Sequence, residues 1–253
     1  MLLTVSLFIL GLSVGTIGTL IGVGGGFILV PIFLLVLHYS PQHAVGTSLA
    51  VVCLNALSGT VAYVKQKKVY YDAAIRFSLA TLPGAVIGSY LAHYFTNRSF
   101  YISFGFLLIA IALLLYFNTK PETDSSCNKD TFQYNRILGT SLSILVGFLS
   151  SIFGIGGGII HVPAMIILLG FQTHTATATS HFVLAVSSAF GVATHSLLGN
   201  ILITPALVIG SGVILGAQLG AYIAPKTNSR SITLLLSLAL IILGLRMIVS
   251  TII

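Results

Sequence analysis

Gly22-Val23-Gly24-Gly25-Gly26-Phe27-Ile28-Leu29-Val30-Pro31 has a twin in Gly154-Ile155-Gly156-Gly157-Gly158-Ile159-Ile160-His161-Val162-Pro163, 132 positions further on. The offset holds well beyond the glycines. Gly15 falls on Gly147, and Ala44, Thr47 and Ser48 fall on Ala176, Thr179 and Ser180. Gly59 falls on Gly191, and Gly84, Ala85, Gly88 and Tyr90 fall on Gly216, Ala217, Gly220 and Tyr222. No gap is needed from Gly15 to Tyr90. A self-similarity that keeps one register this long marks a duplicated unit.

The composition says where that unit lives. Of the 253 residues 56% are hydrophobic and 6% charged, whereas a soluble domain is about 25% charged. Apolar runs of about 20 residues recur from end to end, the length that crosses a bilayer. The fold class is therefore an all-α, polytopic integral membrane protein of two homologous halves. A formal charge of +7 would suggest nucleic acid on a soluble protein. Here the cations sit in short loops, where they set topology, and no nucleic-acid partner is expected. The start, Met1-Leu2-Leu3-Thr4-Val5, lacks a basic n-region and a small-residue cleavage site, so it reads as a retained membrane segment in a multi-pass inner (plasma) membrane protein.

Ten helical segments are expected. The first repeat, residues 1–117, gives 2–21, 26–38, 44–64, 73–95 and 99–117. A polar linker spans 118–135 and carries Lys120, Glu122, Asp124, Lys129 and Asp130. The second repeat, residues 136–253, gives 136–153, 158–170, 176–198, 203–224 and 231–252. The second segment of each half is short, about 20 Å against a hydrocarbon core of about 30 Å, and starts at the glycine cluster. Segments 1 and 2 make either one broken crossing or a hairpin that turns back. The hairpin reading collects Lys65, Lys67, Lys68, Lys120, Lys129, Lys226 and Arg230 on one side and leaves Arg98 opposite. That sorting obeys the positive-inside rule better. It predicts an inverted repeat with broken or re-entrant helices at the glycine motifs, a cytoplasmic linker and both termini outside.

Inverted repeats with interrupted helices bind substrate near the midplane. Irregular backbone survives at that depth only where it is buried or lines a cavity. Helix N-termini offer free N–H groups and positive dipole ends to an anion. The candidate substrate-binding residues are Gly24, Gly25, Gly26, Gly156, Gly157 and Gly158, with the hydroxyls of Thr47, Ser48, Thr179 and Ser180 near the next segment starts. Asn55, His181 and Gln218 join them, Gln218 on the ground that a lipid-facing amide is costly. Ser58, Ser187 and Ser188 are weaker candidates on the same segments. Gly84-x-x-x-Gly88 and Gly216-x-x-x-Gly220 read as close helix contacts.

Histidines break the twinning. His161, His181 and His195 lie in apolar segments where the first half has Leu29, Leu49 and Tyr63. Intramembrane ionisable groups point to function, and these three are the proton-coupling candidates. His38, His43 and His174 flank loops, and His93 sits near a segment end. Asp72 is the one carboxylate outside the linker. A cation site usually uses a membrane carboxylate, so the balance favours an anionic substrate.

Other chemistries lack their residues. Gly22–Phe27 fails G-x-G-x-x-G, and no phosphate-binding G-x-x-x-x-G-K-[ST] occurs. Cys53 and Cys127 have no metal-ligand spacing. No G-x-S-x-G, H-E-x-x-H or paired aspartates appear, so no enzyme, cofactor or metal is expected.

The paired G-x-G-G-G-φ-φ-x-P segments, the A-x-x-T-S element after each, and the duplicated layout resemble the TauE/SafE sulfite exporter family. The resemblance covers nearly the whole chain apart from the linker. It implies a permease for sulfite, thiosulfate or organosulfonates, with the glycine motif at Gly24–Gly26 and Gly156–Gly158 and the hydroxyl element at Thr47, Ser48, Thr179 and Ser180. The second copy departs in having His161 and His181 beside these elements. The expected function is a secondary transporter moving a small anion by alternating access, with proton coupling open. A permease for another organic anion or a metal ion, and a non-transporting scaffold, remain the alternatives. The expected partners are the small anionic solute and the lipid bilayer, with a homo-oligomer left open.

Overall fold

In the computed structural model, which describes residues 2–117, 132–227 and 229–250, ten α-helices follow one another. They are α1 (Leu2–Ile21), α2 (Gly26–Leu35), α3 (Pro41–Lys65), α4 (Tyr71–Ala92), α5 (Asn97–Phe117), α6 (Arg136–Phe153), α7 (Gly158–Ile167), α8 (Thr173–Leu197), α9 (Ile203–Ile223) and α10 (Ser229–Val249). Seven of them are long and apolar enough to cross a membrane. The chain is a multi-pass membrane protein. Most of the predicted linker, including its charged residues and Cys127, lies outside the described residues.

Local chemistry sets the boundaries. α3 starts at Pro41, three residues earlier than the apolar pattern suggests, because Ser40 caps it through His43 N and Pro41 fits the first turn. Asn135 caps α6 by accepting from Leu138 N at 3.0 Å. α2 stops at Leu35 because His38 takes a left-handed conformation, φ 53°, and Tyr39 N returns to Phe33 O at 2.9 Å. The twin turn after α7 uses Gly170, φ 72°, with Phe171 N bonded to Met165 O. Pro31 and Pro163 sit inside α2 and α7 and cannot donate to the carbonyl four residues back. Each short helix spans only about 15 Å.

Small residues set the helix pairs. Gly11 and Gly15 of α1 face the backbone of Ile209 and Val213 of α9. Gly212, Gly216 and Gly220 of α9 face Phe8, Leu12 and Thr16 in return, so α1 and α9 run parallel at backbone contact. The twin pair repeats this, with Gly84 and Gly88 of α4 against Ile144 and Phe148 of α6. Lipid supplies no hydrophobic drive between helices, so close packing of small residues holds such seams. Leu54 of α3 meets Gly210 and Ser58 bonds to Ile214 O, so α3 also runs parallel to α9. α1 and α3 therefore point the same way, and α2 between them is a half-length return.

The repeat-related helices run oppositely. On α3 and α8, Gly59 meets His181 while Leu49 meets Gly191. On α5 and α10, Gly105 meets Ile248 while Ile109 meets Gly244.

The two ends of the bundle differ in charge. One end gathers Gln66 on Ala221 O, Tyr70 N on Thr179, and Arg136 3.5 Å from Asp72. Arg76 and Tyr134 complete the Asp72 cluster; burial, and then the Asp72 hydrogen bond, push the Tyr134 phenol up. Lys65, Lys67, Lys68 and Lys226 share this end. At the other end Gln42 reaches Phe95 O, His43 faces Asn200 O, and Leu202 N meets Thr47. Arg98 and Arg246 are the described cations there.

Candidate functional site

The glycine turns meet where α3 and α8 cross. Gly22, Gly24 and Gly25 have φ of 84°, 82° and 82°; Gly154, Gly156 and Gly157 have 69°, 76° and 75°. Side chains rarely adopt this region. Gly24 and Gly156 both lie against Val52 and Leu184, a twin pair at the middle of α3 and α8. A Cβ on Gly26 would enter the backbone at Gly154 and Ile155, and one on Gly158 the backbone at Gly22 and Val23. The turns thus cross backbone to backbone, and α2 and α7 both begin there. Among the described residues, the N–H groups of Gly26, Phe27, Gly158 and Ile159 donate no backbone hydrogen bond. Neither helix has a side-chain cap. Unpaired buried N–H groups are rare, and four at one crossing make a ready cradle for an anion.

The hydroxyl elements brace this crossing. Ser48 donates to Gly154 O at 2.8 Å, and its twin Ser180 donates to Gly22 O at 3.4 Å. Each ties one half's helix to the other half's turn. Thr47 accepts from Leu202 N and Thr179 from Tyr70 N, each at 3.0 Å. These threonines cap α9 and α4 at the bundle ends, each one residue before the serine that reaches the turn.

Beside the crossing lies a fully buried polar cluster. Thr19 Oγ1 donates to Asn55 Oδ1 at 2.9 Å and lies 3.3 Å from His181 Nε2. Tyr63 donates to Thr19 O at 2.7 Å, and its ring meets His181 edge-on. Asn55 Nδ2 and His181 Nδ1 have no hydrogen-bond partner, and the His181 ring sits beside the Gly22 backbone. Thr19 and Tyr63 escaped the sequence reading as site residues. The signal for Thr19 was a hydroxyl three residues before Gly22 in an apolar helix.

The other two histidines are held. His195 Nε2 lies 3.4 Å from Ser151 O and Nδ1 3.2 Å from Asn200 Nδ2. Ser151 is the twin of Thr19, so His195 stands where Tyr63 stands in the first half. His161 bonds to Ser143 at 3.2 Å and packs edge-on against Phe77, away from the crossing. Ser187 and Ser188 donate back to Leu184 O.

Gln218 is misplaced by the sequence reading. It lies on the exposed face of α9, donating to the carbonyl and hydroxyl of Ser58. At 100° per residue it points opposite Gly216 and Gly220, which hold the α1 seam, and Ser58 relieves the cost of its exposed amide. Ser58 faces the same way, so neither belongs to the buried site. Among the described residues no group of three or more His, Cys, Asp or Glu is placed to share a metal ion.

A many-helix membrane bundle with two half-length helices that start from one buried crossing defines a membrane transporter. The sulfite exporter TauE/SafE family model matches residues 7–247, and the chain belongs to that family. It is similar to "Probable membrane transporter protein YunE" of Bacillus subtilis (strain 168), at 36% identity over 96% of this chain and 97% of the relative. A probable membrane transporter protein of Methanocaldococcus jannaschii is 29% identical over 98% of this chain and 96% of its own length. One of Sinorhizobium sp is 31% identical over 95% and 90%. No solved structure matches the chain.

Proposed function

We propose that the chain is a secondary permease for a small anion, a sulfur oxyanion or organosulfonate, working by alternating access. The observation that carries this is the crossing itself, where two capless helix N-termini from opposite halves bring unpaired N–H groups to one buried point. The sulfur assignment follows the name of the family. The opposed directions of α3 and α8 support an inverted repeat, and the lysine-rich end supports a cytoplasmic side there. Rocking of one half on the other would expose the crossing to each side in turn. Gly24, Gly25, Gly26, Gly156, Gly157 and Gly158 form the cradle, and Ser48 and Ser180 hold its two turns together. Proton coupling falls to His181, because of the three buried histidines it alone carries a buried ring nitrogen without a partner.

The test is flux into proteoliposomes holding only this chain, with sulfite, thiosulfate, sulfate and methanesulfonate in parallel. Saturable uptake of at least one is expected, steepened by a pH gradient in the wild type and indifferent to it in His181→Leu. Silence with all four overturns the substrate class.

A further inference from the structure

We infer that the units that rock are halves of the bundle and not of the sequence: α1, α3 and α9 move as one body, and their twins α6, α8 and α4 as the other. The inference rests on the permease reading and names its moving parts.

The glycine seams join the wrong helices for the sequence halves to part. Each seam pairs a first-half helix with a second-half helix. Between α1 and α9, a Cβ on Gly11, Gly15, Gly212, Gly216 or Gly220 would strike the partner's backbone. Between α4 and α6 the same holds for Gly84, Gly88 and Gly147, the last lying against Thr81. Close packing of small residues is what holds helices together in lipid. Rocking the sequence halves would pull both seams apart along their length.

Hydrogen bonds add one helix to each seam. α3 is tied to α9 from end to end: Thr47 accepts from Leu202 N, Ser58 donates to Ile214 O, Gln218 donates to Ser58, and Gln66 donates to Ala221 O. α8 is tied to α4 by Thr179, which accepts from Tyr70 N, and by the Phe182 ring against Tyr71. These ties also cross between the sequence halves.

Where the two bodies meet, the contact is softer. Gly59 of α3 faces the His181 ring, and Gly191 of α8 faces the Leu49 tip at 3.3 Å, so both meet side chains and not backbone. Asn55 Nδ2 and His181 Nδ1 lie beside this boundary without a partner. Water reaching them as the bodies part would satisfy both, so this boundary gives before a glycine seam does.

The chain passes between the bodies at twin turns. Residues 66–70 lead from α3 to α4 and 198–202 from α8 to α9, and each turn holds a left-handed residue, Lys67 (φ 55°) or Gly199 (φ 69°). A few residues at element ends suffice for a hinge. α5 and α10, a third pair drawn from both halves, pack on each other at Gly105 and Gly244 and belong to neither body. The crossing, with Ser48 and Ser180 bonded across it, lies on the boundary, so rotation of one body on the other opens it to one side at a time.

The experiment compares two disulfide bridges in proteoliposomes, in a chain with Cys53→Ser and Cys127→Ser. Ser58→Cys with Gln218→Cys, at side chains 2.9 Å apart, bridges α3 to α9, inside one body but between the sequence halves. Leu49→Cys with Gly191→Cys bridges α3 to α8, between the bodies. Mass spectrometry confirms each bridge. Sulfite uptake should survive oxidation of the first pair, and should be lost on oxidation of the second and return with dithiothreitol. Leu54→Cys with Gly210→Cys, also in contact, replaces the first pair if it does not fold, and Gly59→Cys with His181→Cys replaces the second. Loss of uptake with the bridge inside a body, or full uptake with the bridge between bodies, overturns the inference and leaves the permease reading intact. Absence of any sulfite uptake by the wild type overturns the permease reading first, and hydrogen exchange of α8 then carries the test. The bridge between bodies should slow that exchange and the bridge inside a body should not; equal exchange under both overturns the inference.

Discussion

The two halves share a backbone and differ in polarity. Their turns match in detail: both glycine loops sit in the left-handed region, both short helices carry a proline, and both serines reach the opposite turn. Their side chains diverge at the buried positions. The first half places Leu29, Leu49 and Tyr63 where the second has His161, His181 and His195. Duplication supplies the symmetric frame that the proposed alternating access needs. Divergence supplies a site that need not be symmetric.

The severest test of the shared frame is the crossing. Gly26→Ala and Gly158→Ala each push a Cβ into backbone of the opposite turn. Both should abolish flux and cost about 1–3 kcal/mol or more, read as a lower thermal midpoint. Equality is the point, and full flux in either variant breaks the twinning. Gly170→Ala and Gly199→Ala meet nothing within 4 Å and should cost only the strain of a left-handed residue, about 1–2 kcal/mol, with flux retained.

Thr47→Val and Thr179→Val each strand a helix-start N–H, Leu202 N or Tyr70 N. Each should lose about 1–2 kcal/mol of stability, equally in the two halves. Ser48→Ala and Ser180→Ala sharpen the comparison. The 2.8 Å bond of Ser48 should be worth about 1 kcal/mol and the 3.4 Å bond of Ser180 less, so the thermal shift should be larger for Ser48→Ala. The smallest effect is a gain. His38 takes a left-handed turn where its twin is Gly170, and His38→Gly should stabilise by about 0.5 kcal/mol net of glycine's entropy.

The frame was legible because it rests on patterns that sequence carries directly. Apolar run length gave the crossings, and a fixed offset gave the twins. Ends were harder, since α3 begins where Ser40 and Pro41 permit and α2 ends where His38 turns. The candidate site's backbone crossing was legible, its side-chain partners less so. Glycines and serines announced the crossing because only glycine fits the turns. The threonines, expected as hydroxyls for a substrate, accept from helix-start N–H groups of the opposite half, contacts that no local pattern announces. Gln218 misled because helix facing depends on which stripe is buried, and the glycine stripe of α9 claimed the opposite face. Thr19 and Tyr63 belong to the cluster only through contacts 36 and 44 positions apart, which no local pattern reveals.

Opposed halves across the membrane are the central claim, and twin positions test it. Lys67 and Gly199 are twins, both exposed, both in left-handed turns that close α3 and α8. Cysteine is introduced at each, separately, in a chain with Cys53→Ser and Cys127→Ser, and labelled in intact cells with a membrane-impermeant maleimide. The account predicts that Gly199→Cys reacts from outside and Lys67→Cys reacts only after the cells are opened. Labelling of both from the same side would contradict it.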